Sequence, residues 1–346
     1  MAGYDHNVQL AVNGEEGQGG GATSIGASIV RHGTTTDWSL DPQFLLVRYP
    51  EDHTLNRDDV NVTGAASSHF ERGNWINSAN YRHDTTITSE RGTTGLTEAN
   101  LPHEHLALTT APSLRLSELW TAGATAMWSE DNYVDGQAVG LVDYNYASIG
   151  AQLTYALSER TSLGVDASVG RFAIPTTNEI TNQYAANVHF DTAINELWQL
   201  SMSGGPLRVI SGDANEPGIG VTVKLQRRSE TRHFDVELSN DTIPDGRGTL
   251  SRHAQATVAY GRNWSSRIAT DLSADWTRTR DALPDFGVEY AAVNLVSINT
   301  ALRWQAAPTM SIALLVSWSQ QEQGAGTADA YRAALSLTWQ GLEHGF

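Results

Sequence analysis

The sequence predicts an all-β chain, a single antiparallel transmembrane β-barrel over residues 1–346. The expected strand count is about 18, with 16 and 20 as the alternatives. Three observations predict it. Runs of alternating apolar and polar residues fill the chain, and a helical period of 3.6 is sustained nowhere. Short turns alternate with longer Gly/Asp/Asn-rich loops. All ten tryptophans sit at the ends of alternating segments and none in the middle. Trp38, Trp75, Trp120, Trp198, Trp264, Trp304 and Trp339 lie near a short turn or the C-terminus, and Trp128, Trp276 and Trp318 mark the opposite segment ends. A soluble core would place Trp where burial is deepest. Trp at both ends predicts two aromatic belts, each at a membrane interface, where an apolar ring with a polar N–H is at home.

The alternation is explicit along the chain. Val60, Val62, Gly64, Ala66 and Phe70 alternate with Asp59, Asn61, Thr63, Ser67 and His69. Phe234, Val236 and Leu238 alternate with His233, Asp235, Glu237 and Ser239. Ile268, Leu272, Ala274 and Trp276 alternate with Asp271, Ser273, Asp275 and Thr277. Met310, Ile312, Leu314, Val316 and Trp318 complete the pattern. Tight turns are expected near 33–37, 72–74, 116–118, 158–160, 195–196, 229–231, 263–265 and 306–308. Longer loops are expected near 14–21, 50–57, 89–103, 129–139, 173–181, 205–217, 240–250, 280–288 and 321–329. Eight turns with both termini on one side make nine hairpins, hence 18 strands. A β-propeller shares a period near 40 residues, but each period here holds two long strands and no blade motif repeats.

Composition narrows the function. With 40% hydrophobic residues and a mean hydropathy of −0.33, the chain is too polar for a bundle of spanning helices. The charge-free stretch from Trp304 to Gln321 is broken by Pro308, Thr309, Ser311 and Ser317; a spanning helix needs about 20 mostly apolar residues. Cysteine is absent, which excludes disulfides, thiolate catalysis and Cys-based zinc sites. A net charge of −17 argues against nucleic acid as a partner. Of 22 basic residues only Lys224 is lysine. A GC-rich genome would explain that. So would the bidentate grip of Arg on phosphate and carboxylate, useful at a lipopolysaccharide surface or in a channel for sugar acids. No signal peptide is visible, and the expectation is that one has been removed.

The alternation, the tryptophan belts and the terminal Phe346 resemble the bacterial outer-membrane barrel superfamily, whose members commonly end in an aromatic residue. The resemblance implies an outer-membrane location, contact with its lipid and lipopolysaccharide, short periplasmic turns and longer extracellular loops. One departure is that Tyr331, Ala333, Leu335, Leu337 and Trp339 are odd-numbered, whereas Leu342, His344 and Phe346 are even. Either a bulge shifts the register or the last residues form a tail. A narrower resemblance covers Leu40 through Glu90, with LDPQFLLVRY and LNRDDVNVTGAASSHFERGNWINSANYRHDTTITSE. It is to barrels linked to exopolysaccharide biosynthesis and export.

Assigning the polar parity inward gives an expected lumen wall. Its members are Asp59, His69, Arg82, Asp84, Asp166, His233, Asp235, Glu237, Asp271, Asp275, Arg303, Arg332 and Gln340. Singly these residues would pair across strands as scaffold; together they would set which ions or sugars pass. Inward aromatics are few, Phe172 and Tyr49. The long loops are acidic, with Glu51, Asp52, Glu98, Glu130, Asp131, Asp135, Asp213, Glu216, Asp241, Asp245, Asp281 and Asp285. They predict either a cation-attracting mouth or solvated loops bridged to lipopolysaccharide by divalent ions. His103 and His105 with Glu104 read as polar surface rather than a metal site. Oxygen-rich stretches at 129–136 and 240–246 lack the spacing of a calcium loop. No metal and no cofactor is expected. Enzyme signatures such as G-x-S-x-G, H-E-x-x-H and a Walker loop are missing, so the chain is expected not to be an enzyme.

The favoured expectation is a passive channel for hydrophilic solute or ions, in a narrower version for an exopolysaccharide, with no loop long enough to be an obvious plug. The rival is a structural or docking barrel whose lumen is closed or filled by a periplasmic partner. A homo-oligomer is open on either reading.

Overall fold

The computed structural model describes residues 1–10, 17–91, 93–95, 99–282, 292–324 and 326–340. The first strands are β1 (Ala2–His6), β2 (Gln18–Gly26), β3 (Ile29–His32), β4 (Thr36–Arg48), β5 (Arg57–Phe70) and β6 (Gly73–Thr85). A one-turn helix, α1 (Thr86–Ser89), follows. Then come β7 (Pro102–Arg115), β8 (Trp120–Tyr133), β9 (Tyr144–Ser158), β10 (Thr161–Ile174), β11 (Glu179–Ala193), β12 (Trp198–Ser211) and β13 (Ala214–Arg228). The chain finishes with β14 (Arg232–Asp245), β15 (Thr249–Asn263), β16 (Ile268–Asp281), β17 (Val293–Ala307), β18 (Met310–Gln323) and β19 (Gly326–Trp339).

Consecutive strands pair antiparallel, and the sheet closes on itself because β1 pairs with β19 on one side and β2 on the other. Nineteen strands fill 18 positions, since β2 and β3 lie end to end along β4. The break between them falls opposite Pro42 of β4, which has no N–H to give to the ladder. The fold is therefore a closed 18-strand barrel, the count expected from the turns.

All eight expected tight turns join strands at one end, here the turn side. The loop side differs in part from expectation. Its connections at 175–178, 212–213 and 246–248 are also tight, and only two residues separate β18 from β19. Gly and Pro near these turns make the sequence look like longer loops than the chain forms. Asn178, Gly212, Gly248 and Gly324 take positive φ and close these turns, while Gly204, Gly205, Pro206 and Pro217 lie inside strands. Gly205 has a steric reason: a Cβ there would strike the Ala186 carbonyl of β11.

The outward face is apolar. Val165, Val188, Ile219, Leu272, Leu314 and Leu335 are all exposed on it, the reverse of a water-soluble barrel. Seven tryptophans stand at the turn side. There Trp75 and Trp264 donate to Thr110 and Thr270, and Arg262 lies 3.8 Å over the Trp264 ring. The other three lie further inside their strands than expected. Trp128, Trp276 and Trp318 are each the ninth of 14 strand residues. Beyond each, the outward positions turn polar: Glu130 and Asn132, Arg278 and Arg280, Gln320 and Glu322. The strands thus run on past the second belt, so a belt residue need not be a strand end. Residues 341–346, including Phe346, lie outside the described residues.

Fully buried side chains are concentrated at the loop side. Tyr133, Leu141, Tyr144, Tyr146, Phe172, Ile174, Val209, Leu250 and Ala282 form one apolar cluster there. Val8, Val47, Tyr49, Leu55 and Ile87 form a second, and Leu10, Ala328 and Ala330 a third.

Candidate functional site: a polar lumen under a capped mouth

Twelve of the thirteen expected wall residues occupy strand positions opposite the exposed apolar ones. Gln340 lies just past β19 and is exposed. Most of the twelve meet cross-strand neighbours. Glu237 meets Lys224 at 3.2 Å, and Asp235 accepts from Arg228 at 2.7 Å and Gln226 at 3.1 Å. Asp271 faces Arg303 at 3.5 Å and His233 at 4.0 Å. Asp166 accepts from Asn187 and Asp275 from Thr257, each at 2.9 Å. Asp59 sits 3.2 Å from Arg57, and Arg82 is 3.0 Å from Asp84. Arg332 reaches the Met1 sulfur. Exposed pairs of this kind contribute about 0–1 kcal/mol each. His69 lies 3.4 Å from Ser67 and 3.8 Å from Asp37, both through Nε2. A nucleophile relay needs both ring nitrogens, so this trio does not form one.

Exposure changes sharply along the barrel axis. Near the turn side the His69 and Arg303 side chains are 59% and 55% exposed. Near the loop side Asp84 is 2% and His103 1% exposed. His103 Nδ1 lies 2.7 Å from Asp84 and Nε2 3.1 Å from Asp131, which also holds His105 at 2.8 Å. With a carboxylate at each nitrogen both must donate, so the ring is the imidazolium. Tyr133 stacks on it at 4.7 Å and donates to Glu90 at 2.6 Å. The expectation that His103 is polar surface is thereby overturned. The reason is strand length: β7 begins at Pro102 and β8 runs to Tyr133, so the alternation continues into what reads as loop.

The acidic mouth is corrected in the same way. Asp131 and Asp245 are buried, the latter bound by Arg247 and Ser251, and Asp281 lies 3.8 Å from Arg247. Glu51, Asp135, Asp213 and Asp241 remain exposed, and Glu216 pairs with Arg252. The hydroxyl and amide of Thr54 hold Asp52 below the usual carboxylate range. Glu98 and Asp285 lie outside the described residues. Among the described residues no group of three ligands is arranged to hold a metal ion.

The mouth itself is filled, contrary to the expectation that no loop is long enough to plug it. The 134–143 loop reaches the β14–β15 turn, where the Val142 amide donates to the Gly246 carbonyl at 2.8 Å. These two loops are six strand positions apart on the ring, so the contact crosses the lumen. The β6–β7 connection folds in beside it. Gln321 of β18 donates to the Gly95 carbonyl at 2.9 Å, and Arg91 donates to the Val8 carbonyl at 2.9 Å. Tyr133, Tyr144 and Tyr146 join the expected Phe172 and Tyr49 as inward aromatics. Burial pushes the Tyr49 hydroxyl up from its ordinary range.

The exposure gradient yields a labelling prediction. Single Cys replacements at Asp235 and Asp271 should react with a water-soluble thiol reagent, those at Val236 and Leu272 should not, and one at Asp84 should react at least about tenfold more slowly than the first two. Rapid reaction at Asp84 would show an open mouth, and labelling at Leu272 a reversed wall.

No protein-family model and no curated protein matches the chain. It is similar in structure to the FrpB iron transporter from Neisseria meningitidis (F5-1 variant, apoprotein form), with 11% identity and a TM-score of 0.49. The match covers 93% of this chain and 61% of that one, so the chain spans about three fifths of that relative's length. It is also similar to the siderophore receptor PirA from Pseudomonas aeruginosa (7% identity, TM-score 0.44, 97% and 78% covered). A third similar structure is Pseudomonas aeruginosa OpdL (12% identity, TM-score 0.43, 98% and 97% covered).

Proposed function

We propose that the chain is a bacterial outer-membrane transport barrel that passes a hydrophilic solute or ion along its lumen, with the loop-side mouth shut in the state described. The carrying observation is the exposure gradient. A wall of solvated charges opens to the turn side and ends under a packed cap at the loop side. A barrel built only as a scaffold would have no need to keep half its inner wall wet. The apolar outer face and the two tryptophan belts support the membrane placement.

The rival docking reading draws on the cap, which closes the lumen without a partner. The narrower reading, export of an exopolysaccharide, has less support. The inward aromatics Tyr144 and Phe172 stack on each other, centroids 5.1 Å apart, instead of lining an open track for sugars.

The test is single-channel recording of the refolded protein in a planar bilayer under an asymmetric salt gradient. The expected result is long closed periods broken by ohmic openings. Silence from folded protein, both with the cap intact and with the cap loosened by substitution, would give the docking reading the lead.

A further inference from the structure

Beneath the cap lies a luminal cavity of about 290 Å³. Its wall gathers three guanidinium groups from distant parts of the sequence: Arg57 at the start of β5, Arg91 from the folded-in β6–β7 connection, and Arg332 on β19. Ser297, Asn299, Ser317 and Ser319 supply further hydrogen-bonding groups from β17 and β18. One carboxylate lines the cavity, Asp5, which faces Arg332 in the β1–β19 ladder.

The three arginines are not equally engaged. Arg57 lies 3.2 Å from Asp59 and donates to Thr88 at 3.0 Å. Arg91 gives one N–H to the Val8 carbonyl, while its buried Nε has no hydrogen-bond partner. Arg332 makes no ion pair within 4.0 Å among the described residues, and its side-chain hydrogen bond is to the Met1 sulfur at 3.5 Å. Burial lowers the Arg91 guanidinium from its ordinary range; Asp5 opposes this, and Arg57 and Arg332 add to it. Two like charges, Arg57 and Arg91, are thus partly withdrawn from water, with the exposed Arg332 beside them on the same void and donors left over. That is stable when a negative group with several acceptor oxygens occupies the void. Arg presents its donors in a planar fork that matches a carboxylate or phosphate.

We infer that this cavity is an oxyanion site for the carboxylate or phosphate group of a hydrophilic solute, gripped by Arg91 from the cap and Arg332 from the wall with Arg57 behind them. The inference rests on the transport reading only in calling the occupant a solute. It also reverses the selectivity expected from the acidic loops and the net charge of −17: the outer surface is acidic, but the narrow place under the cap favours anions. Because one gripping residue belongs to the cap and the other to the barrel, an occupying anion ties the two together.

The test is isothermal titration of the refolded barrel in zwitterionic detergent with glucuronate, inorganic phosphate and neutral glucose. One or both anions are expected to bind saturably and glucose not at all. Binding of glucuronate alone assigns a carboxylate and of phosphate alone a phosphate. R91Q and R332Q are each expected to weaken binding about tenfold or more, as loss of a charged hydrogen bond does, with R91K weakened less. R171Q, on the outward face of β10, should bind as the parent does. No saturable binding of either anion, or undiminished affinity in both R91Q and R332Q, overturns the site. Arg332 lies on a strand away from the cap contacts, so R332Q keeps the test decisive if R91Q folds poorly. No bilayer is involved. A barrel that binds glucuronate but never conducts would sink the transport reading and leave the site, and a conducting barrel that binds neither anion would do the reverse.

Discussion

Replacing His103 with leucine is expected to destabilise the barrel by about 3–5 kcal/mol, the usual penalty for removing one partner from a buried charge network. The imidazolium stands between Asp84 and Asp131, both nearly inaccessible to water. Leucine fills the volume but leaves two carboxylates facing each other in a poorly solvated site. Denaturant unfolding in detergent, followed by the mobility shift of the folded barrel, measures the loss. A triple replacement, H103L with D84N and D131N, should recover most of it, because neutral amides tolerate the site without a cation. A loss below about 1 kcal/mol in H103L would mean that water reaches the pair and that the loop-side half of the lumen is wet.

Replacing Leu141 with aspartate is expected to open the mouth. Leu141 is fully buried in the cluster with Tyr144, Phe172, Ile174, Val209 and Leu250, and its neighbour Val142 makes the cross-lumen hydrogen bond to Gly246. Truncating a buried leucine alone costs about 2–5 kcal/mol, and an unpaired carboxylate adds to that. The loop's hydrogen bonds to strand residues are at its two ends, where the Val134 amide donates to the Pro102 carbonyl and Asp143 accepts from the Tyr133 amide, so the loss at Leu141 falls on its docking and not on the strand ladder. A shift of about 3 kcal/mol changes the open-to-shut ratio roughly a hundredfold. In bilayer recordings the openings of L141D should be far more frequent than those of the parent, with similar unit conductance. A folded L141D as silent as the parent would show that the 134–143 loop is not the closure.

Much of the barrel was legible because a closed β-sheet imposes a period of two on every strand. Val236 and Asp235, or Leu272 and Asp271, announce opposite faces with no help from tertiary structure. The eight turns could be counted for the same reason: each interrupts the alternation with short polar sequence. What could not be read was the loop side. There, strands continue above the apolar band, so their outward residues become polar and the alternation fades, as at Glu130 and Asn132. Asp131, His103 and Tyr133 therefore looked like loop, although extending the odd parity of Thr109, Ala107 and His105 reaches His103. The arginine cavity was illegible for another reason. Arg57, Arg91 and Arg332 converge only because the β6–β7 connection folds inward and the sheet closes between the chain's ends. Neither event leaves a local mark on the sequence.

The position of the tryptophans sets a dimension. In β8, Trp120 and Trp128 are eight residues apart on the same face. At about 3.3 Å per residue that is roughly 26 Å along the strand. With the ~40° tilt usual for such barrels it is about 20 Å of height. Trp276 and Trp318 stand at the same ninth position of their strands, so this height holds around at least three sectors of the wall. Such a belt-to-belt span matches a thin bilayer and would suffer hydrophobic mismatch in a thicker one, at fractions of a kcal/mol per Å around the whole perimeter. Refolding should thus be more efficient in short-chain than in long-chain lipids. The barrel would also locally pinch a thicker membrane toward its own height, and its five strand residues beyond each of these tryptophans would lift the cap clear of the acyl chains.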